Sequence, residues 1–446
     1  MNRTITVAAA VAAVLGSGSA LAQTVFTGVP AANTINIMGS SAIKNALLAS
    51  IENNFCGGSF TAATSNGTNT NFLGVNCTPA SGKASHSGPY NIFIRYEGGS
   101  VSGYLPIVNN KGVKEIGSIT SLPIVINGAS TGNGTDDSFQ FASGGSFATV
   151  IPDLAIGDVE PKALIGSNYP SAYSTAVWGP VNNAGMFGLS STGLVNEVYA
   201  LFVNESSGFT ENPLNLSIPM VAQILEKNIT NWSQVTDVNG NSVGTGAIKL
   251  VNRENGSGSR AATDILLVGD TCGAGGKASN TIPNTATQYF ATGDVLAAAN
   301  STAGAITYAT IDNAYGSQAT KTPNMVMVNL NGVAPSNLAA ASGTYPFWVE
   351  AQFINNAANT GADSAAVNSI VTALQGQTTT ASLQDINVIP LISAADGSGT
   401  LNATVHSTAS SNGATPTGGS VPVYINPYTR QGVTCNNPVP EYNTIP

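Results

Sequence analysis

The run Arg253-Glu254-Asn255-Gly256-Ser257-Gly258-Ser259, closed by Arg260, sets the Arg253 cation, two serine hydroxyls and two glycines close together. That combination suits an oxyanion. Glycines let the backbone approach a ligand closely, Ser257 and Ser259 offer both hydroxyl and N–H donors, and the Arg253 guanidinium presents a planar fork to a tetrahedral anion. The residues that follow, Ala261 to Leu267, read as a helix whose N-terminus adds about half a positive charge. Taken alone, the same run also describes a Ser/Gly loop capping a surface helix.

The elements around this loop decide between those readings. Ile248 to Val251 is a short apolar strand that delivers Arg253. Ile35 to Met38 predicts another strand, followed by the turn Gly39-Ser40-Ser41-Ala42 and an apolar-periodic helix through Ile43, Leu47, Leu48 and Ile51. A strand, a turn of small residues and a helix is the unit that aims a helix N-terminus at a ligand beyond the sheet. Ile92 to Tyr96 runs into a second such turn, Glu97 to Gly103, and Leu154 to Gly157 is an apolar segment ending at Asp158 shortly before Pro161. Val198 to Asn204 and Gly304 to Tyr308 read as strands, and Ser217 with Pro219 announces a helix running to Leu225. Strands alternating with helices predict an α/β fold in two lobes. The stretch 57–90 lacks sustained periodicity and reads as an inserted loop, and 101–150 reads as a second insertion, mixed strands and loops from 104 onward.

Composition restricts the partners. Of 446 residues only 8% are charged, and Lys and Arg number 14 against 23 Asp and Glu. An acidic balance argues against nucleic acid or an anionic membrane surface, yet a buried site can hold a small anion through local dipoles. The first residues, with Arg3, an apolar run from Ile5 to Leu15 and Ser19-Ala20-Leu21-Ala22, read as a secretory signal peptide cleaved after Ala22, too short to span a membrane. A periplasmic or secreted protein is therefore expected. The four cysteines fit that compartment: Cys56 and Cys77 would close a local loop, leaving Cys272 and Cys435 for a long-range bridge. His86 and His406, the only histidines, lie in polar stretches and give no basis for a His-centred catalytic or metal site. Trp232 and Trp348 read as core, Glu226 and Lys227 as a solvated helix end, and Arg260 as the i+4 partner of Asp264.

Four blocks in order, Tyr199 to Asn204, Leu214 to Trp232, Leu250 to Ser259 and Gly304 to Tyr308, resemble the PstS-type phosphate-binding proteins of ABC importers. The resemblance is good from about 196 to 312 and patchy elsewhere. It implies a flytrap of two hinged α/β lobes, with 23–197 and 313–446 as the first and 198–312, carrying the Arg253 loop, as the second. It also implies anion contacts at Ser41, Ala42, Ser100, Asp158, Arg253, Ser257, Gly258 and Ser259, with Ser102 a rival to Ser100. Asp158 falls on the carboxylate that would accept a proton from hydrogen phosphate and repel sulfate, which brings none. Read without a ligand, the same residue merely starts the turn before Pro161. The expected ligand is inorganic phosphate, with no cofactor, no catalysis, no nucleic acid, no membrane insertion and an ABC permease as partner. Two departures stand out: Asn255 replaces an acidic residue, and the inserted loops are foreign to the family. They leave room for an extracellular surface or matrix protein on the same fold, and more weakly for a phosphate-ester hydrolase, for which neither clustered metal ligands nor a paired nucleophile is evident.

Overall fold

In the structure, a computed structural model, residues 28–64, 72–96, 98–110, 113–114, 124–126, 139–141, 149–168, 182–210, 213–269, 282–283, 285, 287–289, 291–311, 322–375, 388–390, 428–430 and 432–440 are described. The expected signal peptide, Cys272 and His406 lie outside them. The elements that matter here are, in the first part, β1 (Thr34–Gly39), α1 (Lys44–Ala49), β2 (Thr61–Thr64), β3 (Phe72–Cys77), β4 (Tyr90–Arg95), α2 (Gly99–Val108) and β5 (Leu154–Gly157). There follow β6 (Thr192–Asn204), α3 (Ile218–Leu225), β7 (Lys249–Leu250), β8 (Asn252–Arg253), α4 (Gly258–Thr263), β9 (Gln288–Tyr289), α5 (Thr292–Asn300) and β10 (Ala305–Thr310). The last are β11 (Met325–Met327), β12 (Trp348–Asn355), α6 (Ser364–Gln375) and β13 (Val388–Pro390).

A mixed sheet of 11 strands runs β7-β10-β6-β12-β5-β1-β4-β3-β2, with β11 and β13 also paired to β6. β1 lies parallel to β4 and to β5, so three carboxyl ends, at Gly39, Arg95 and Gly157, open toward the same side. Side chains on both faces of β1 and β4 are buried, as expected for strands in the middle of a parallel group. β6 joins two apolar cores. Its first half pairs with β12 through Val198, and from Tyr199 onward it pairs with β10. Leu194 and Val195 pack with Ile35, Ile92 and Ile370, whereas Val198 to Val203 pack with Leu225, Trp232 and Ile306. Two cores on one mixed sheet give the expected α/β class its two halves.

Local chemistry explains several elements. Ser217 caps α3 by accepting from the Met220 N–H at 3.3 Å, with a proline in the first turn. Gly39 is required where it stands. Its φ is 139°, and a Cβ there would sit 1.7 Å from the carbonyl oxygen of Ile156, so any side chain would push β1 off β5. Ser40 then donates its N–H to that same carbonyl at 2.9 Å, which fixes the turn leaving β1.

The expectation of a loop over 57–90 is corrected. β3 pairs with β4 antiparallel along its whole length, and β2 adds outside it. Leu73, Val75 and Cys77 do alternate with Gly74 and Asn76, but the run is short and set in a Gly/Thr/Asn-rich stretch, and Gly and Asn are both poor strand formers. Asn76 instead donates its amide to Asn91 across the ladder at 2.7 Å, a pairing that hydropathy does not register. The Cys56–Cys77 disulfide, expected from the sequence, ties the end of β3 back to the segment after α1. Ser85 and His86, later in the same stretch, are held by Asp363 at the start of α6, which accepts from the Ser85 N–H at 2.8 Å and its hydroxyl at 2.7 Å. The start of 101–150, expected as a second insertion, continues α2 to Val108.

Cys435 is disulfide-bonded. Around it, Arg430 stacks over the Trp348 ring at 4.7 Å, and Glu160 accepts from the Thr434 N–H at 3.0 Å. Trp232 is fully buried, its indole N–H donating to the Gly304 carbonyl at 3.3 Å. Both tryptophans are core, as read. Among the described residues no helix is long and apolar enough to cross a membrane.

Candidate functional site

Asp158 follows directly on β5 and is only 1% exposed. Three turns converge on it. From the turn after β1, the Ser40 hydroxyl donates to Asp158 Oδ1. From the start of α2, Ser100 Oγ accepts the Asp158 backbone N–H at 3.0 Å. From the start of α4, the Ser259 hydroxyl donates to Asp158 Oδ2 at 3.0 Å. Ala42 offers its N–H to Ser40 Oγ at 3.0 Å, so the serine is oriented from both sides.

Arg253, the last residue of β8, is also buried, at 1% exposure. Its Nε donates to the Tyr289 carbonyl at 3.1 Å and its Nη1 to Thr292 Oγ1 at 3.0 Å. Thr292 opens α5 and meets Ser41, whose hydroxyl lies 3.0 Å from Thr292 Oγ1 and accepts the Thr292 N–H at 3.1 Å. Ser41 therefore bridges the first turn to the helix that braces the arginine. Ser257 caps α4, accepting the Arg260 N–H at 3.4 Å. The Val101 N–H donates to the Gly256 carbonyl at 3.1 Å, locking α2 against the Arg253 loop. Gly99, with φ of 65°, makes that approach possible, since a Cβ on it would lie 3.0 Å from the Ser257 Cα.

The eight residues expected from the sequence, Ser41, Ala42, Ser100, Asp158, Arg253, Ser257, Gly258 and Ser259, lie on these connected turns. Ser102, the rival of Ser100, donates instead to the Gly99 carbonyl at 2.7 Å and so serves its own turn. Arg260 donates Nη1 to the Arg253 carbonyl at 3.0 Å and Nη2 to the Ile282 carbonyl at 2.5 Å. Asp264 accepts from the Ile282 N–H at 2.7 Å, so the two residues grip the same segment behind the loop. Sequence reasoning missed Ser40, Thr292 and Tyr199, the last of which places its hydroxyl 3.4 Å from Ser259 Oγ. Ser40 stood beside Ser41 in a turn already singled out, and Tyr199 in a strand already quoted. Thr292 carried no signal of its own.

Burial pushes the Asp158 carboxyl above the ordinary carboxylate range, against the opposing pull of the Ser40 hydroxyl, the Arg253 charge and the Ser259 hydroxyl. A buried carboxyl flanked by hydroxyls, a guanidinium and backbone N–H groups can recognise a small oxyanion and read whether it carries a proton. Among the described residues no group of three or more His, Cys, Asp or Glu is arranged to hold a metal ion.

Gly258 sits at the closest point. A Cβ on it would fall 2.2 Å from Ser100 Oγ and 2.9 Å from Asp158 Oδ2. Gly258→Ala is expected to displace Ser100 or Asp158 and weaken anion binding by at least about tenfold, roughly 1.4 kcal/mol. Calorimetric titration of a variant that still melts cooperatively checks this.

Residues 195–369 match the family model of the PBP superfamily domain. That stretch overlaps the one in which the sequence blocks resemble PstS-type proteins. No curated protein matches the chain. Among solved structures it is similar to a putative phosphate ABC transporter substrate-binding protein with bound phosphate from Clostridium perfringens, at 14% identity and a TM-score of 0.44, covering 80% of this chain and 99% of that one. A phosphate-binding protein from Stenotrophomonas maltophilia is also similar, at 14% identity and a TM-score of 0.41, covering 80% of this chain and 90% of that one. An ABC-type phosphate transport receptor from Vibrio cholerae shows 13% identity and a TM-score of 0.40, covering 80% of this chain and 99% of that one.

Proposed function

We propose that this chain, a divergent PstS-like protein carrying a PBP superfamily domain over residues 195–369, captures inorganic phosphate between two lobes, 23–197 with 313–446 and 198–312, and delivers it to an ABC permease. The observation that carries the reading is the junction of Asp158 with the Arg253 loop. A buried carboxylate bonded to Ser259, and a buried guanidinium one short loop away, come from segments about a hundred residues apart. Asp363 shows that a buried carboxyl against a serine hydroxyl can be structural; what sets Asp158 apart is that serines from three separate turns and the Arg253 charge converge on it. Hydrogen phosphate supplies both halves of the match: oxygens for Arg253, the Ser257 hydroxyl and the Ser259 N–H, and a hydroxyl for Asp158. Sulfate, of the same shape, has no proton to give and would set its charge against the carboxylate with no hydrogen bond between them. Export to the periplasm or beyond and the absence of catalysis belong to the same reading.

Titration calorimetry of refolded, phosphate-stripped protein, with sulfate as competitor, tests it. Submicromolar phosphate binding that sulfate does not disturb supports a phosphate receptor. No heat with either anion would refute the reading and favour a surface protein that keeps the fold without the ligand.

A further inference from the structure

Ser259 has one hydroxyl proton and two oxygens within reach. Asp158 Oδ2 lies 3.0 Å away, and Tyr199 Oη lies 3.4 Å away on the other side. Glu197 Oε2, 3.0 Å from the Tyr199 hydroxyl, accepts its proton and leaves the phenol oxygen to accept from Ser259. Glu197 and Tyr199 lie two apart on β6, at the point where that strand passes from one core to the other, and both are buried. Burial and the neighbouring Asp158 and Glu197 charges keep the Tyr199 phenol well above its ordinary range, so it stays a neutral hydroxyl. Four oxygens thus form a row, Asp158, Ser259, Tyr199 and Glu197, whose donor direction is set from the Glu197 end. The other groups facing Asp158 are Ser40, on its second oxygen, Arg253, whose charge favours its ionised form, the Tyr199 hydroxyl itself, which also reaches the carboxyl, and the Tyr104 phenol.

We propose that Tyr199 and Glu197 are positioning residues for proton-reading at Asp158: Tyr199 takes over the Ser259 hydroxyl when an incoming oxyanion offers its own proton to Asp158. The inference rests on the phosphate reading above. With sulfate, Ser259 stays on Asp158. With hydrogen phosphate, the ligand hydroxyl takes that place and the Ser259 proton turns to the Tyr199 oxygen, so no buried hydroxyl is left unpaired. The cost of admitting the right ligand falls, while the cost of admitting the wrong one does not.

The experiment is a comparison of phosphate and sulfate affinities in wild-type and Tyr199→Phe protein by calorimetry. Removing the phenol oxygen traps the Ser259 proton on Asp158, so phosphate affinity should drop about tenfold while sulfate affinity holds. A purely structural role for Tyr199 would weaken both anions in parallel. Glu197→Gln is the second variant, of nearly unchanged shape. Its amide N–H can donate to the Tyr199 oxygen, reversing the row, and the phosphate-to-sulfate ratio should fall in the same direction. Wild-type protein that binds neither anion overturns the phosphate reading and this proposal with it. Wild-type protein that prefers phosphate, with an unchanged ratio in both variants that fold, overturns the relay alone.

Discussion

Arg253→Ala is expected to weaken phosphate binding by about 3–5 kcal/mol, the range for breaking a buried charge pair by removing one partner. Two terms act together. The variant loses a charge-assisted, two-pronged donor to a desolvated anion, and it leaves Asp158 without the positive charge that favours its ionised form. Part of the loss is indirect. Arg253 also donates to the Tyr289 carbonyl and to Thr292, the residue that Ser41 holds, so truncation loosens the turn after β1 as well. Arg253→Lys separates the terms. A lysine restores charge but not the fork, and should recover only part of the affinity. Calorimetry on both variants, with melting curves as a control for folding, measures this. Arg253→Ala protein that binds phosphate as wild type does would remove Arg253 from the site.

How much of this was legible in the sequence depended on range. The Arg253 loop was, because its cation, glycines and serines are contiguous and need no tertiary knowledge to be read together. So was the cap of α3, since Ser217 and Pro219 act on the adjacent turn. β3 was not, because its alternation of Leu73, Val75 and Cys77 is only three residues deep, carries the weak strand formers Gly74 and Asn76, and is made firm by its partner, where Asn91 meets Asn76. Thr292 was invisible for the same reason: its role comes from Ser41, 251 residues earlier, and from Arg253, 39 residues earlier. Ser40 and Ser41 show a finer limit. Both were in view in one turn, but which hydroxyl faces Asp158 follows from the φ of Gly39 and its contact with Ile156, and composition does not encode that.

Asp158→Asn is expected to keep phosphate binding and lose the rejection of sulfate, with sulfate affinity rising about tenfold or more, roughly 1.4 kcal/mol per tenfold. An asparagine side chain carries a carbonyl that can still accept from a phosphate hydroxyl, and an amide that can donate to a sulfate oxygen. The repulsion between carboxylate and sulfate therefore disappears while the phosphate contact survives. The same variant has a second signature in the absence of any anion. Burial raises the Asp158 carboxyl above its unfolded value of ~4. The folded state then holds this proton more tightly than the unfolded chain does. Its contribution to stability is complete below the unfolded pKa and is lost as pH rises through the folded one. Asparagine does not titrate, so ligand-free Asp158→Asn protein should melt higher than wild type at about pH 7 to 8, with the gap closing toward acid pH. Phosphate should reverse that order in part, by stabilising the wild-type site through the very contact that is costly without it. Sulfate selectivity unchanged in Asp158→Asn would deny Asp158 its proton-reading role, and a melting difference that does not vary with pH would mean that its burial is not what destabilises the empty site.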